Sequence, residues 1–151
     1  MNNIIVVGSA NTDMILKCER LPRDVYRDVL LTPNETEAAR LTGEDDPARA
    51  ATRLLAFGAR AVVMTLGARG ALLVTADQAR VIEGFRVQAV DTTAAGDAFN
   101  GGLAVARARG DGLPDAVRYA GAVGALGVTR FGAQPSLPTR DEVEKFLARQ
   151  K

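Results

Sequence analysis

What most restricts the fold of this chain is a set of short apolar runs, most of them rich in β-branched residues and closed by glycine or proline. Ile4-Ile5-Val6-Val7 stops at Gly8, Val29-Leu30-Leu31-Thr32 at Pro33, and Ala61-Val62-Val63-Met64-Thr65-Leu66 at Gly67, while Ala71-Leu72-Leu73-Val74 follows the Gly67–Gly70 turn. Runs of this length and character read as strands covered on both faces, as in parallel sheets. Helix signals fall between them. Asn34 is a good N-cap with Glu37 at the capping-box position, and Gly43 closes that helix. Asp46-Pro47 opens the next, with Gly58 at C′ and Ala51, Leu54 and Leu55 on the buried face. Residues 79–90 read as one or two further strands, because Phe85, Val87 and Ala89 alternate with Arg86 and Gln88. Helices are expected over 97–109, 114–127 and 139–149, the last capped by Thr139 with Glu142 as its box partner. Strands interleaved with helices, then helices to the end, predict an α/β fold: a mostly parallel sheet with flanking helices. At 151 residues this is one domain's length, and the polar, charged stretch 17–28 around Pro22 reads as an exposed connection.

Residue types that are missing narrow the chemistry. With no histidine, Ser-His and Cys-His catalysis and histidine-ligated metals are excluded. Cys18 is the single cysteine, so neither an intrachain disulfide nor a cysteine zinc cluster can form. Nineteen Lys and Arg against 18 Asp and Glu leave a net charge of +1, which argues against nucleic acid or an anionic membrane as the main partner. No apolar run is long enough to span a bilayer, and Met1-Asn2-Asn3 lacks a basic leader, so a soluble, cytoplasmic protein is expected.

The stretch Asp91-Thr92-Thr93-Ala94-Ala95-Gly96-Asp97-Ala98-Phe99-Asn100-Gly101-Gly102 is the most informative. Small residues run directly into a helix start, where N–H groups and the helix dipole favour an anion. Asp97 would compete with that anion unless it is a base facing a hydroxyl that attacks a phosphoryl group held by the amides. The plainer reading is that Asp97 caps the helix and the glycines serve helix packing. Thr65-Leu66-Gly67-Ala68-Arg69-Gly70 is a strand end and glycine turn, suited to a nucleotide at the carboxyl edge of a sheet or simply a tight turn. Neither a Walker A motif nor G-x-G-x-x-G occurs. Asn34 and Glu37 suit a hydrated Mg²⁺, although the capping box explains both. Asn11 and Asp13, after the first strand, suit sugar hydroxyls or an Asx turn. Gly121, Gly124 and Gly127 recur every third residue, as close helix packing would need.

In combination these blocks resemble the ribokinase branch of the PfkB-type sugar kinases. The resemblance is carried by G-S-A-N-T-D (8–13), L-L-T-P-N-E-T-E-A (30–38), T-L-G-A-R-G (65–70), V-D-T-T-A-A-G-D-A-F-N-G (90–101) and V-T-R-F-G-A-Q-P-S-L-P (128–138). It implies ATP-dependent transfer of phosphate to a primary hydroxyl of ribose. Asp97 matches the catalytic base, and Ala94, Ala95 and Gly96 the anion hole. Asn34, Thr65, Leu66, Gly67, Ala68, Arg69, Gly70, Gly96, Asp97 and Gly121 match nucleotide contacts. Asn11, Asp13 and Asp97 match sugar contacts, and Glu37 the acid linked to Mg²⁺. Asp91, Thr93, Gly127, Arg130, Gly132 and Ser136 match positions around an activating K⁺, mostly through backbone oxygens.

The chain departs from that family in its middle. Only ten residues separate Pro22 from Pro33, and no G-G-K-G-A-N sugar motif is present. The expectation is therefore one reduced ribokinase-like domain over 1–151, with a first strand and sugar loop (1–22) joined to a nucleotide-binding half (29–151). The family's lid has no counterpart, so ATP binding is expected to persist and ribose phosphorylation to be poor or absent. Apolar faces left uncovered predict a homodimer or poor solubility.

Overall fold

The structure, a computed structural model, describes residues 29–150. The expected strand at 4–7 and the sugar residues Asn11 and Asp13 lie outside them. The described residues form two compact units, the first comprising 29–67 and 71–82, the second 68–70 and 83–150.

The first unit is a sheet with two helices. Strands β1 (Leu30–Leu31), β2 (Ala61–Thr65), β3 (Gly70–Thr75) and β4 (Ala79–Glu83) lie in the order β1-β2-β3-β4. Between β1 and β2 run helices α1 (Glu35–Thr42) and α2 (Pro47–Ala56). Local chemistry sets their ends. Asn34 Oδ1 accepts the Glu37 N–H and Glu37 Oε2 accepts the Asn34 N–H, both at 2.9 Å, which completes the capping box. Gly43 ends α1 in the left-handed region at φ 74°, where a Cβ would be strained. Asp46 caps α2 through the Arg49 N–H, and Pro47 starts it where the missing N–H costs nothing. Ala38, Ala50, Ala51 and Leu54 from the helices pack with Val62, Met64, Leu72 and Val74 in one core, with Leu55 partly buried at its margin. Val63 and Leu73, alternate to those strand positions, are also fully buried.

The sheet is mixed, not mostly parallel. β1 and β2 pair in parallel, Leu30 opposite Ala61, across the helical crossover. β2 and β3 pair antiparallel, Val63 opposite Leu73. Only a short turn at Gly67–Arg69 joins them, too few residues for a parallel crossover. The sheet also ends earlier than the alternation over 79–90 suggests. β4 stops at Glu83, and residues 84–89 have no ladder although Phe85 and Val87 are half-buried.

The second unit is helical: α3 (Ala95–Ala108), α4 (Leu113–Gly127) and α5 (Arg140–Ala148). Helices α3 and α4 approach closely at Gly102, where a Cβ would sit 2.8 Å from Val123 Cγ2 and 3.1 Å from Ala120 Cα. The glycine triplet of α4 serves this less than its spacing suggests. A Cβ at Gly121, Gly124 or Gly127 would make only ordinary contacts, the shortest at 3.6 Å. Phe85 and Phe146 meet edge to face with centroids 5.2 Å apart, and Arg109 lies 4.2 Å over the Tyr119 ring. Among the described residues no helix is long and apolar enough to cross a membrane.

Candidate active site

In the first unit, the expected nucleotide residues gather at the carboxyl ends of the two parallel strands. Asn34 follows β1 and forms an isolated parallel bridge to Thr65, the last residue of β2, and the Thr65 N–H donates to the Pro33 carbonyl at 3.0 Å. Ligands of open α/β sheets bind beyond such ends. Leu66 is buried in the core, while Gly67 takes φ 58° with open space where a Cβ would be. Asn34 is exposed, and its capping role engages Oδ1 while leaving the side-chain amide nitrogen out of that bond. Glu37 offers one half-exposed carboxylate, the kind of donor a hydrated Mg²⁺ takes, with Oε2 engaged by the Asn34 N–H.

In the second unit, Ala68–Gly70 is held by a close approach that the sequence reading missed. The Gly84 N–H donates to the Arg69 carbonyl at 3.3 Å. A Cβ on Gly84 would lie 2.4 Å from the Ala68 carbonyl oxygen and 2.8 Å from the Gly70 nitrogen. The only available signal was a glycine placed directly after a strand.

Asp91 to Asp97 leads into α3 through an unusual backbone. Ala94 is the N-cap at φ 58°, the only non-glycine residue with positive φ among those described. An alanine there costs about 1–2 kcal/mol relative to the right-handed region. Its methyl cannot cap, so the first turn of α3 receives no hydrogen bond from an N-cap side chain. The Ala95 N–H closes a turn onto the Thr92 carbonyl at 3.2 Å, and the first helical bond runs from Ala98 N–H to Ala94 carbonyl at 2.9 Å. Gly96 is exposed and a Cβ there would meet nothing within 4 Å. Asp97 is thus the third residue of the helix, not its cap, and its side chain is exposed. Farther along, Gly121 on α4 faces the Phe85 ring, and the Arg118 guanidinium lies 5.2 Å over that ring.

Of the residues expected around a monovalent cation, Asp91, Thr93 and Gly132 are joined directly. Asp91 Oδ1 accepts the Thr93 N–H and Oδ2 accepts the Gly132 N–H, each at 2.9 Å, across 41 positions of sequence in the second case. The Thr93 hydroxyl, then the Gly132 and Thr93 amides, hold the Asp91 carboxyl below its ordinary range. The Gly127 carbonyl accepts the Arg130 N–H at 3.2 Å, and Ser136, itself buried, donates its hydroxyl to the Ala133 carbonyl at 2.7 Å. This donor set of carbonyls, hydroxyls and one carboxylate is hard oxygen and suits an alkali cation better than a transition metal. No group of three or more Cys, Asp or Glu that could hold a metal occurs among the described residues. The side chain of Arg130 pairs with Glu142, a partner the sequence reading assigned to capping alone.

A parallel-strand edge in the first unit, and in the second a helix start of small residues with an acid in its first turn, belong to an α/β protein. Over residues 7–140 the chain matches the pfkB family carbohydrate kinases, and it belongs to that family. It is 45% identical over 123 residues to the ribokinase of Haemophilus influenzae, covering 78% of this chain and 40% of that protein. To the ribokinase of Bacillus subtilis it is 38% identical over 133 residues, covering 88% and 43%. Among solved structures, ribokinase from Thermotoga maritima superposes with a TM-score of 0.80 at 41% identity, over 86% of this chain and 46% of that one. Arabidopsis thaliana ribokinase complexed with ribose and ATP gives 0.78 at 34%, over 83% and 43%. The chain therefore spans less than half the length of each of these relatives.

Proposed function

We propose that the chain binds Mg-ATP and that Asp97 is the base of a phosphoryl transfer to a primary hydroxyl of a ribose-like sugar. The observation that carries this reading is the entry to α3. A strained Ala94 and an unfilled Gly96 have no account in packing, and with an exposed carboxylate one residue later they suit phosphate against main-chain amides with a base beside it. In this reading Asp97 takes the sugar proton as the hydroxyl oxygen attacks the γ-phosphorus, and the bond from that phosphorus to the β,γ-bridging oxygen breaks to release ADP. The amides of Ala94 to Gly96 face the charge that develops on the transferring group. Asn34 and Thr65 to Gly70 contact the nucleotide, with Gly121 beside its base, and Asn11 and Asp13 hold sugar hydroxyls. Glu37 holds a hydrated Mg²⁺, which when bound neutralises phosphate charge. Asp91, Thr93, Gly127, Arg130, Gly132 and Ser136 surround K⁺.

The short stretch of ten residues between Pro22 and Pro33 supports a second reading, a nucleotide-binding module without turnover. The chain covers 40% and 43% of the two ribokinase sequences and lacks G-G-K-G-A-N. Phosphoryl transfer depends on positioning and water exclusion, so a missing sugar wall and lid reduce turnover far more than ATP affinity. Calorimetry with Mg-ATP, followed by a coupled assay of ADP release with and without ribose, separates these readings. The kinase reading expects slow ribose-dependent release that Asp97→Asn abolishes while Mg-ATP binding survives. Binding with no ribose-dependent release selects the module, and absence of Mg-ATP binding overturns both.

A further inference from the structure

We infer that Glu142 is a positioning residue: from the first turn of α5 it fixes the 128–136 loop and, through that loop, the backbone entering α3. One carboxylate does two jobs. Glu142 Oε2 accepts the Thr139 N–H at 2.7 Å and the Thr139 hydroxyl at 3.0 Å, which caps α5, while Oε1 binds the Arg130 guanidinium. Both members of the pair are partly exposed, and a freely moving pair in that setting is worth little. Here the cap fixes the carboxylate before the arginine arrives, so less side-chain entropy opposes the contact.

Two residues beyond Arg130, the Gly132 N–H donates to Asp91, whose other oxygen takes the Thr93 N–H, and Ala94 follows directly. The Val128 carbonyl adds a second tie by accepting both the Val90 and Asp91 N–H groups at 2.7 and 3.1 Å. The loop is thus held at its start by Val128, in its middle by Arg130 and at Gly132 by Asp91. Releasing the middle point loosens the Gly132–Asp91 bond. The Asx turn at 91–93 that feeds the left-handed Ala94 loosens with it.

The functional weight of this positioning rests on the kinase reading of residues 94–97, but its test does not. Glu142→Gln keeps a capping-box acceptor and removes the charge that holds Arg130. Amide hydrogen exchange should quicken about five- to tenfold at Gly132 and Thr93, the loss expected for one charge-assisted contact in a half-exposed site. The Val143 amide, bonded to the Thr139 carbonyl inside α5, should keep its rate, and the Gly96 and Asp97 amide resonances should shift. Arg130→Met should do the same, and the double variant should add nothing to either single change. Unchanged exchange at Gly132 and Thr93, or equal acceleration throughout α5, overturns the inference. Loss of Mg-ATP binding by the unaltered protein would sink the kinase reading and leave this result standing.

Discussion

Two adjacent glycines of α3 should respond differently to the same substitution. Gly101 and Gly102 both lie inside the helix, so alanine at either gains about 1 kcal/mol of helix propensity. At Gly101 nothing lies within 4 Å of the new methyl, and that gain stands alone. At Gly102 the methyl meets Val123 Cγ2 at 2.8 Å and Val123 Cβ at 3.0 Å, against roughly 3.5–4.0 Å for relaxed carbon pairs. Val123 is β-branched and cannot easily rotate away inside α4, and Ala120 Cα at 3.1 Å is backbone. Overpacking of this kind costs about 1–3 kcal/mol. Because the propensity gain is common to both variants, the difference between them isolates the steric cost, about 1–3 kcal/mol in favour of Gly101→Ala. Urea denaturation of the two variants and the parent measures it directly, provided the slopes agree. Equal stabilities for the two variants would refute the close α3–α4 approach at Gly102.

Gly84→Ala should dislodge Ala68–Gly70, since both atoms its methyl would strike are backbone. A loss of about 1–3 kcal/mol is expected, read by thermal unfolding together with Mg-ATP calorimetry, and unaltered values in both would contradict the contact. Acid should release the loop before α5. Arg130 first, then the Thr139 amide and hydroxyl, hold the Glu142 carboxyl down to about 2. A depressed carboxylate stabilises the fold fully above its ordinary range and loses that contribution as pH falls toward the depressed value. Asp91 moves in the same direction through Thr93 and Gly132. Carboxyl-carbon NMR titration should therefore find Glu142 still ionised where ordinary glutamates protonate. A midpoint in the ordinary range would remove the Arg130 pair.

Much of the fold was legible because its signals are local. Asn34 with Glu37, Asp46 with Pro47 and Thr139 with Glu142 act within one turn, and each cap forms where the residue pattern puts it. Strand directions were less legible. An apolar run such as 71–74 looks the same whether its neighbour runs parallel or antiparallel, and only the shortness of the Gly67–Arg69 turn decides the matter. The Phe85-Val87-Ala89 alternation misled for a related reason. Partial burial of Phe85 and Val87 does not require a ladder, Ala89 is exposed, and Gly84 is occupied with Ala68–Gly70 instead. Of the candidate site, family likeness groups Asn34 with Thr65 and Asp91 with Gly132, and each of these pairs meets in the structure. The second role of Glu142 had no sequence signal, since a capping box already accounts for the residue.

Small residues in this chain separate by whether packing explains them. Gly102 and Gly84 are explained, because a neighbour already occupies the space a methyl would need. Ala94, Gly96 and Gly101 are not. Ala94 carries a left-handed backbone that glycine would adopt without strain, while Gly96 and Gly101 give up helix propensity beside open space. Breaches of local preference without a structural return gather where function imposes its own requirement. Here all three lie within four residues of Asp97, and Gly101 sits one turn beyond it on the same helix face. Helical side chains lean toward the N-terminus, so a residue larger than glycine at 101 would lean toward that carboxylate. The stabilising Gly101→Ala change should for that reason lower whatever ribose-dependent turnover the chain has, a trade between stability and activity that a purely structural α3 would not show.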